Sequence, residues 1–239
     1  MKKHWNKVGK ETRIALLSVL VAGLVACSSP AEKANKYYEK GLALMEQGDL
    51  LKARIELQNA LQIKPELTGA WFALAQIAEQ QGDWEKLFSL LNKVADQDPR
   101  HLDTQIKLGR MLLAAGRLDK ALAASDATLL LAPNNAEVLG LRAGVLYKLG
   151  DTAGAVTQAN AALVLSPGNI DALVVLATER LAANDAEKAI EYLDRGLKTN
   201  EKNIALQLIK VQALESLAQT DSSEAIFRKL IALYPETRA

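Results

Sequence analysis

The feature that most constrains this chain is a ladder of glycines and prolines with a fixed step. Gly48, Gly82, Gly116 and Gly150 stand 34 residues apart, and so do Pro65, Pro99, Pro133 and Pro167. A period of roughly 20–50 residues marks a stack of repeated structural units. Divided at that step, the chain gives units 34–67, 68–101, 102–135, 136–169 and 170–203. Apolar residues recur at three- and four-residue spacing on both sides of position 15 of each unit, which predicts two short helices. In the second unit, Trp71, Leu74, Ala75 and Ala78 form one stripe, and Leu87, Leu91 and Val94 the other.

Residues at fixed positions say how each pair of helices closes. Glycine at position 15 reaches the left-handed backbone conformation that ends a helix without Cβ strain. Asp49, Asp83 and Asp151 follow it, and aspartate is a good N-cap for the second helix. The fifth unit replaces Gly-Asp with Asn184-Asp185, asparagine being the next most tolerant residue there. Arg117 departs from the cap preference and predicts one slightly weakened helix start. Position 8 is small (Gly41, Ala75, Gly109, Ala143, Ala177), and so is position 20 (Ala53, Ala121, Ala155, Ala189), with Leu87 the exception. Both predict close approach of the two helices. Neither helix buries its stripe alone, so each unit needs its neighbour. The prolines disfavour helix in the residue before them and so end the second helix. Glu201 takes that place in the fifth unit, which predicts a less sharply defined turn.

These positions resemble the tetratricopeptide repeat. Trp71-x-x-Leu74-Ala75 and Tyr37-x-x-x-Gly41 carry the likeness, with Leu57 and Leu91 at the apolar position 24, and it covers residues 34–203. The resemblance implies an all-α fold, a right-handed superhelical solenoid of about six helix–turn–helix repeats. Five lie at 34–203 and a sixth, degenerate one at 204–239. Two registers fit the sixth. Aligning Pro235 with the earlier prolines puts Ser223 at position 20 and Phe227 at position 24, whereas aligning Ala225 and Ala232 shifts it by two. Its last helix, with Ile226, Leu230 and Leu233, has no evident polar cover. Either the array continues in a longer protein, or that face self-associates.

The beginning of the chain is of another kind. Lys2, Lys3, Lys7, Lys10 and Arg13 precede Ile14–Ala26, thirteen residues without a charge. That run is short for a bilayer span of about 20 apolar residues and fits the apolar core of a cleaved signal. It closes with Leu24-Val25-Ala26-Cys27 and then Ser28-Ser29-Pro30, which resembles a bacterial lipoprotein signal. The resemblance implies a signal peptide at 1–26, a lipidated Cys27 and a tether at 27–33. Ser28 after the cysteine favours the outer membrane, with the protein facing the periplasm.

Composition narrows the function classes. The 29 basic and 28 acidic residues become 24 and 27 once residues 1–26 leave with five basic groups and one acidic (Glu11), a net of −3. Such a chain lacks the basic character that draws nucleic acid. One cysteine permits no internal disulfide and no multi-cysteine metal site. Beyond residue 26 the only histidine is His101, read as a solvated linker residue. There is no zinc-protease histidine pair, no Gly-x-Ser-x-Gly elbow and no glycine-rich phosphate loop. Glu137 and Asp171 fit solvated helix starts, where acids favour the helix dipole. No enzyme, cofactor or metal is expected.

What remains is a binding surface. In the resembled family the first helices line a concave groove through positions 2, 5, 9 and 12. Carried onto this chain, the groove residues are Tyr38, Leu42, Met45, Phe72, Gln76, Glu79, Ile106, Arg110, Leu113, Tyr147, Thr178 and Leu181. The family's carboxylate-clamp receptors use Lys at position 5 and Asn at position 9, and neither occurs here. An apolar groove interrupted by Gln76, Glu79 and Arg110 suits an amphipathic helix or an extended apolar peptide. The same apolar residues can instead pack only within the array, and Phe72 and Tyr147 fit both readings. The resemblance implies a lipid-anchored scaffold that holds envelope proteins for assembly or export of a pilus, secretin, outer-membrane protein or exopolysaccharide. The segment Ala53–Gln62 is similar to the opening of large tetratricopeptide lipoproteins of exopolysaccharide and exosortase systems. The alternative is the non-catalytic front of a larger envelope enzyme or secretion subunit.

Overall fold

The computed structural model describes residues 29–233. Cys27, the rest of residues 1–28 and residues 234–239 lie outside them. Twelve α-helices and no strand occur among the described residues. They are α1 (Pro30–Glu46), α2 (Leu50–Ile63), α3 (Thr68–Gln80), α4 (Trp84–Gln97), α5 (Leu102–Ala114) and α6 (Leu118–Leu131), then α7 (Ala136–Leu149), α8 (Thr152–Leu165), α9 (Ile170–Ala182), α10 (Ala186–Leu197), α11 (Ile204–Ser216) and α12 (Thr220–Leu233). The chain divides into two compact units, Met1–Gly82 and Asp83–Ala239. The first holds α1–α3, the second α4–α12.

The turns between paired helices follow the sequence ladder. Gly48, Gly82, Gly116 and Gly150 have φ of 78°, 68°, 67° and 89°, and Asn184 joins them at 60°. Asp49, Asp83, Asp151 and Asp185 each accept a hydrogen bond from the backbone N–H three residues on, satisfying a donor that the helix leaves open. Arg117 makes no side-chain cap. The second helices ending before Pro65, Pro99, Pro133 and Pro167 stop two residues ahead of the proline. In the fifth repeat, where Glu201 replaces it, α10 stops at Leu197, two positions sooner in the repeat.

Ala218 settles the register of the sixth repeat. It has φ of 58° and stands 34 residues after Asn184, in line with Pro235 and without insertion. Ser223 then occupies position 20 and is 2% exposed, its hydroxyl donating to the Thr220 carbonyl at 3.0 Å. A left-handed alanine carries Cβ strain that glycine lacks. Ala218→Gly is therefore expected to raise stability by about 0.5–1 kcal/mol, the relief of strain exceeding the added freedom of the unfolded chain. A loss of stability on chemical denaturation would contradict this account.

Positions 8 and 20 are buried throughout the five full repeats, Leu87 included. In the repeats whose two helices lie within one unit, they form the seams where the paired helices meet. In the second unit a continuous core joins Leu139, Ala143 and Leu146 of α7 to Ala155, Ala159, Ala162 and Leu163 of α8 and to Ala172, Leu173, Val175 and Leu176 of α9. Each core thus spans neighbouring repeats, as a stacked architecture requires. Ion pairs recur between neighbouring repeats: Arg142 of α7 meets Asp126 of α6 at 2.7 Å, and Lys210 of α11 meets Asp194 of α10 at 2.5 Å. Both pairs are 16 residues apart.

Candidate partner-binding face

In each unit taken by itself, the candidate face is built from the first helices of its repeats. Their starts are fixed by caps at position 34 of the preceding repeat. Asn135, Asn169 and Asn203 accept backbone N–H bonds from α7, α9 and α11. His101 does the same for α5, where Nδ1 lies 3.3 Å from the Thr104 backbone nitrogen and 2.9 Å from its hydroxyl. The histidine is therefore a partly buried capping residue and not a solvated linker. Leu67 gives α3 no side-chain cap.

In the first unit, Tyr38, Leu42 and Met45 on α1 and Phe72, Gln76 and Glu79 on α3 are all half-buried. The Tyr38 hydroxyl sits against Gly69, where a Cβ would lie 2.7 Å away. Burial, helped by the charge of Glu39, pushes the Tyr38 phenol above its ordinary value. Trp71, one residue from Phe72, donates its indole N–H to the Pro65 carbonyl at 2.8 Å, tying α3 to the preceding turn.

In the second unit, position 12 gives Leu113, Tyr147 and Leu181 on three successive first helices, each half-buried. Leu113 packs against a core of Ala121, Leu141 and Val145. Tyr147 packs on the α7–α9 core, and Leu181 on the next one. Each therefore contributes to a repeat interface and also presents surface. Ile106 differs: it is 4% exposed and lies in the core. Thr178 is half-buried, and its hydroxyl bonds back to the Val174 carbonyl at 2.7 Å.

The polar centre of this face is arranged in a way the sequence did not suggest. Arg110 on α5 donates from Nε and Nη2 to Asp171 Oδ2 on α9, at 3.0 and 2.6 Å. The same Nη2 bonds Glu137 on α7. One guanidinium thus ties the first helices of three consecutive repeats. Burial alone would lower its pKa, but Asp171 and Glu137 outweigh that and hold it above the ordinary value. Glu137 and Asp171, read from sequence as solvated helix starts, are partners in this tie. Asn169, 3% exposed, extends it: its amide donates to the Ala136 carbonyl at 3.1 Å and faces Glu137 Oε1 at 3.4 Å. Gly140 makes room, since a Cβ there would lie 2.4 Å from Asn169 Oδ1.

The arrangement offers an ion-paired polar tie, one guanidinium between two carboxylates, beside an apolar row. It has no poised acid–base pair, and among the described residues no group of three or more His, Cys, Asp or Glu could hold a metal ion. Among those residues no helix is long and apolar enough to cross a membrane.

Tetratricopeptide-repeat models match residues 38–101 and 88–145. Among solved structures, the chain is similar to Pseudomonas aeruginosa PilF, at 19% identity and a TM-score of 0.62 over 88% of this chain and 96% of that one. It is also similar to PilW, a widely conserved type IV pilus biogenesis factor, at 18% identity and 0.64 over 86% and 95%. A third is YrrB, a repeat protein with an unusual peptide-binding site, at 18% identity and 0.55 over 77% and 99%. At these identities the likeness is one of fold. No curated protein sequence matches the chain.

Proposed function

Because residues 38–145 carry tetratricopeptide repeats, we propose that the chain is a scaffold that holds a partner protein along its first helices, tethered to a bacterial envelope membrane by lipid on Cys27. The observation that carries the reading is the row Leu113, Tyr147 and Leu181, apolar, half-exposed and repeated on the first helices of three successive repeats. A row of that spacing suits the apolar side of a helix or an extended segment. The peptide-binding YrrB supports this use of the fold. PilW, a type IV pilus biogenesis factor, supports pilus assembly as the context, and Ser28 after Cys27 favours the outer membrane, facing the periplasm, as the location. Tyr38, Leu42, Met45, Phe72, Gln76 and Glu79 supply a contact face in the first unit.

Crosslinking in membranes of the native host tests both halves. Cys27→Ala is expected to move the protein from the membrane to the soluble fraction, and equal retention by the variant would sink the anchor. Tyr147→Ala/Leu181→Ala is expected to lower the yield of the discrete adduct about tenfold, as for truncation of central contact residues. The variant must remain folded at the assay temperature by circular dichroism. An undiminished adduct from a folded variant would remove this face from partner binding.

A further inference from the structure

The first helix of the array is longer than its counterparts, and only at its start. The other first helices, α3, α5, α7, α9 and α11, begin at position 1 of their repeats, at Thr68, Leu102, Ala136, Ile170 and Ile204. Helix α1 begins at Pro30, four residues before position 1, and so carries one extra turn of about 6 Å. Residues 30–33 belong to the segment expected from the sequence as a tether, and they are helical.

Packing does not explain that turn. Pro30, Ala31, Glu32 and Lys33 are all exposed, and burial on α1 starts at Ala34. What holds the turn is local. Ser29 and Glu32 form a reciprocal capping box: the Glu32 N–H donates to Ser29 Oγ at 3.1 Å, and the Ser29 N–H to Glu32 Oε2 at 2.8 Å. Pro30 at the first helical position fixes its own φ and confines Ser29 to extended backbone, observed at φ −56° and ψ 153°. The cap therefore stands two residues after Cys27. Cys27 and Ser28 are left as the joint, and the chain from Cys27 to Pro30 spans at most about 11 Å.

Nothing on α1 suits it to lie along a bilayer. Its exposed charges are Glu32, Lys33, Lys36, Glu39, Lys40 and Glu46, acids and bases in equal number. No large hydrophobic residue of the helix is exposed. A helix that lies in the interface needs an apolar face and a polar face rich in Lys and Arg. Attachment then falls to the lipid and the capped turn.

We propose that this turn is a rigid post, which sets the first unit at a short, fixed height above the membrane so that its face takes a protein resident in that same membrane. The inference rests on the lipid on Cys27 proposed above. Acyl chains hold that residue at the headgroups. Along α1, Tyr38 then lies within about 25 Å of the lipid-bearing residue and Met45 within about 35 Å, whatever the tilt of the helix. The half-buried row Tyr38, Leu42 and Met45 is thereby kept near the bilayer. A fixed height matters only to a partner whose own height is fixed, and a protein held in the same bilayer has one. Confinement of both to one layer raises their effective concentration without any added contact.

The lipidated protein, purified in detergent and placed in vesicles of phosphatidylethanolamine and phosphatidylglycerol, tests the post. Mass spectrometry of its N-terminal peptide comes first: an unmodified Cys27 overturns both the anchor and the post. On lipidated protein the remaining readouts bear on the post alone. Lys33→Cys supplies the only free thiol. A spin label there is expected to move at least about twofold faster once Ser29→Ala/Glu32→Ala removes the capping box. Equal mobility in both overturns the post. A dye on Lys36→Cys should lie within about 30 Å of acceptor-labelled headgroups. A Gly-Ser insert of about 10 residues between Ser28 and Ser29 should move it out by about 10 Å or more. A dye equally distant without the insert overturns the fixed height. For the partner, a photoreactive residue takes the place of Tyr38 in the native host. The adduct is expected to contain a chain with its own membrane span or lipid. A soluble chain, or no adduct, overturns that assignment.

Discussion

Leu173→Ala is expected to lower the stability of the second unit by about 3 kcal/mol, within the range for emptied leucine sites. The side chain is 0% exposed and stands at position 4 of the fifth repeat, in the core shared by α7, α8 and α9. Its neighbours explain why the loss should not fall at the low end. Ala159 and Ala162 belong to the same core, and a Cβ on Gly196 of α10 would come within 3.2 Å of Leu173 Cδ1. These residues have little side chain to swing into the space, and their backbones are held by helix hydrogen bonds. The vacancy therefore persists, and the cost includes both lost transfer energy and the cavity. Chemical denaturation, with Val164→Ala as an exposed control, measures it. A loss below about 1 kcal/mol would mean that the stack closes around the gap.

Gly140→Ala should destabilise by about 2 kcal/mol, although alanine is favoured over glycine in a helix by about 1 kcal/mol. The added Cβ would lie 2.4 Å from Asn169 Oδ1 and 3.1 Å from Asp171 Cβ. Asn169 cannot yield cheaply. Its oxygen caps α9 through the Ala172 N–H at 2.9 Å, and its amide holds the Ala136 carbonyl. Losing a cap costs about 1 kcal/mol, and each buried polar group left unpaired costs about 1–3 kcal/mol. These terms together exceed the helix-propensity gain. Asn169→Ser keeps a capping oxygen on a shorter side chain, so the pair Gly140→Ala/Asn169→Ser should be less damaging than the sum of its parts. A more stable Gly140→Ala protein would show that Asn169 moves aside freely.

The two cases mark what the sequence could disclose. Every repeat solves one packing problem, so its solution recurs every 34 residues: left-handed turns at Gly48 through Gly150, small seams at positions 8 and 20, helix ends before the prolines. Asn184 follows the same logic, and Ala218 shows it surviving where neither glycine nor asparagine is present. The caps at Asn135, Asn169 and Asn203 are also periodic, but they sit at the last position of each repeat, where a linker reading hides them. The Arg110 tie is periodic only in its acids, Glu137 and Asp171, which share position 2 of successive repeats, whereas the arginine at position 9 has no counterpart in the other full repeats. Its partners lie 27 and 61 residues away, one and two repeats on, and each is individually an ordinary acid at a helix start. Ile106 sat in the expected row of face residues, yet lies in the core. Its position in the repeat therefore did not determine its exposure.

Arg110 also has a mechanical consequence. It joins the first helix of one repeat to that of the second repeat beyond, and bonds the first helix of the one between on the way. A strut placed along one side of a stack resists both opening and further closing of that side. Repeats three to five then behave less like links in a spring and more like a short splinted segment. Because the strut is ionic and partly exposed, dissolved salt loosens it. The stretch of chain that carries Tyr147 thereby has a stiffness set by its surroundings as well as by its fold.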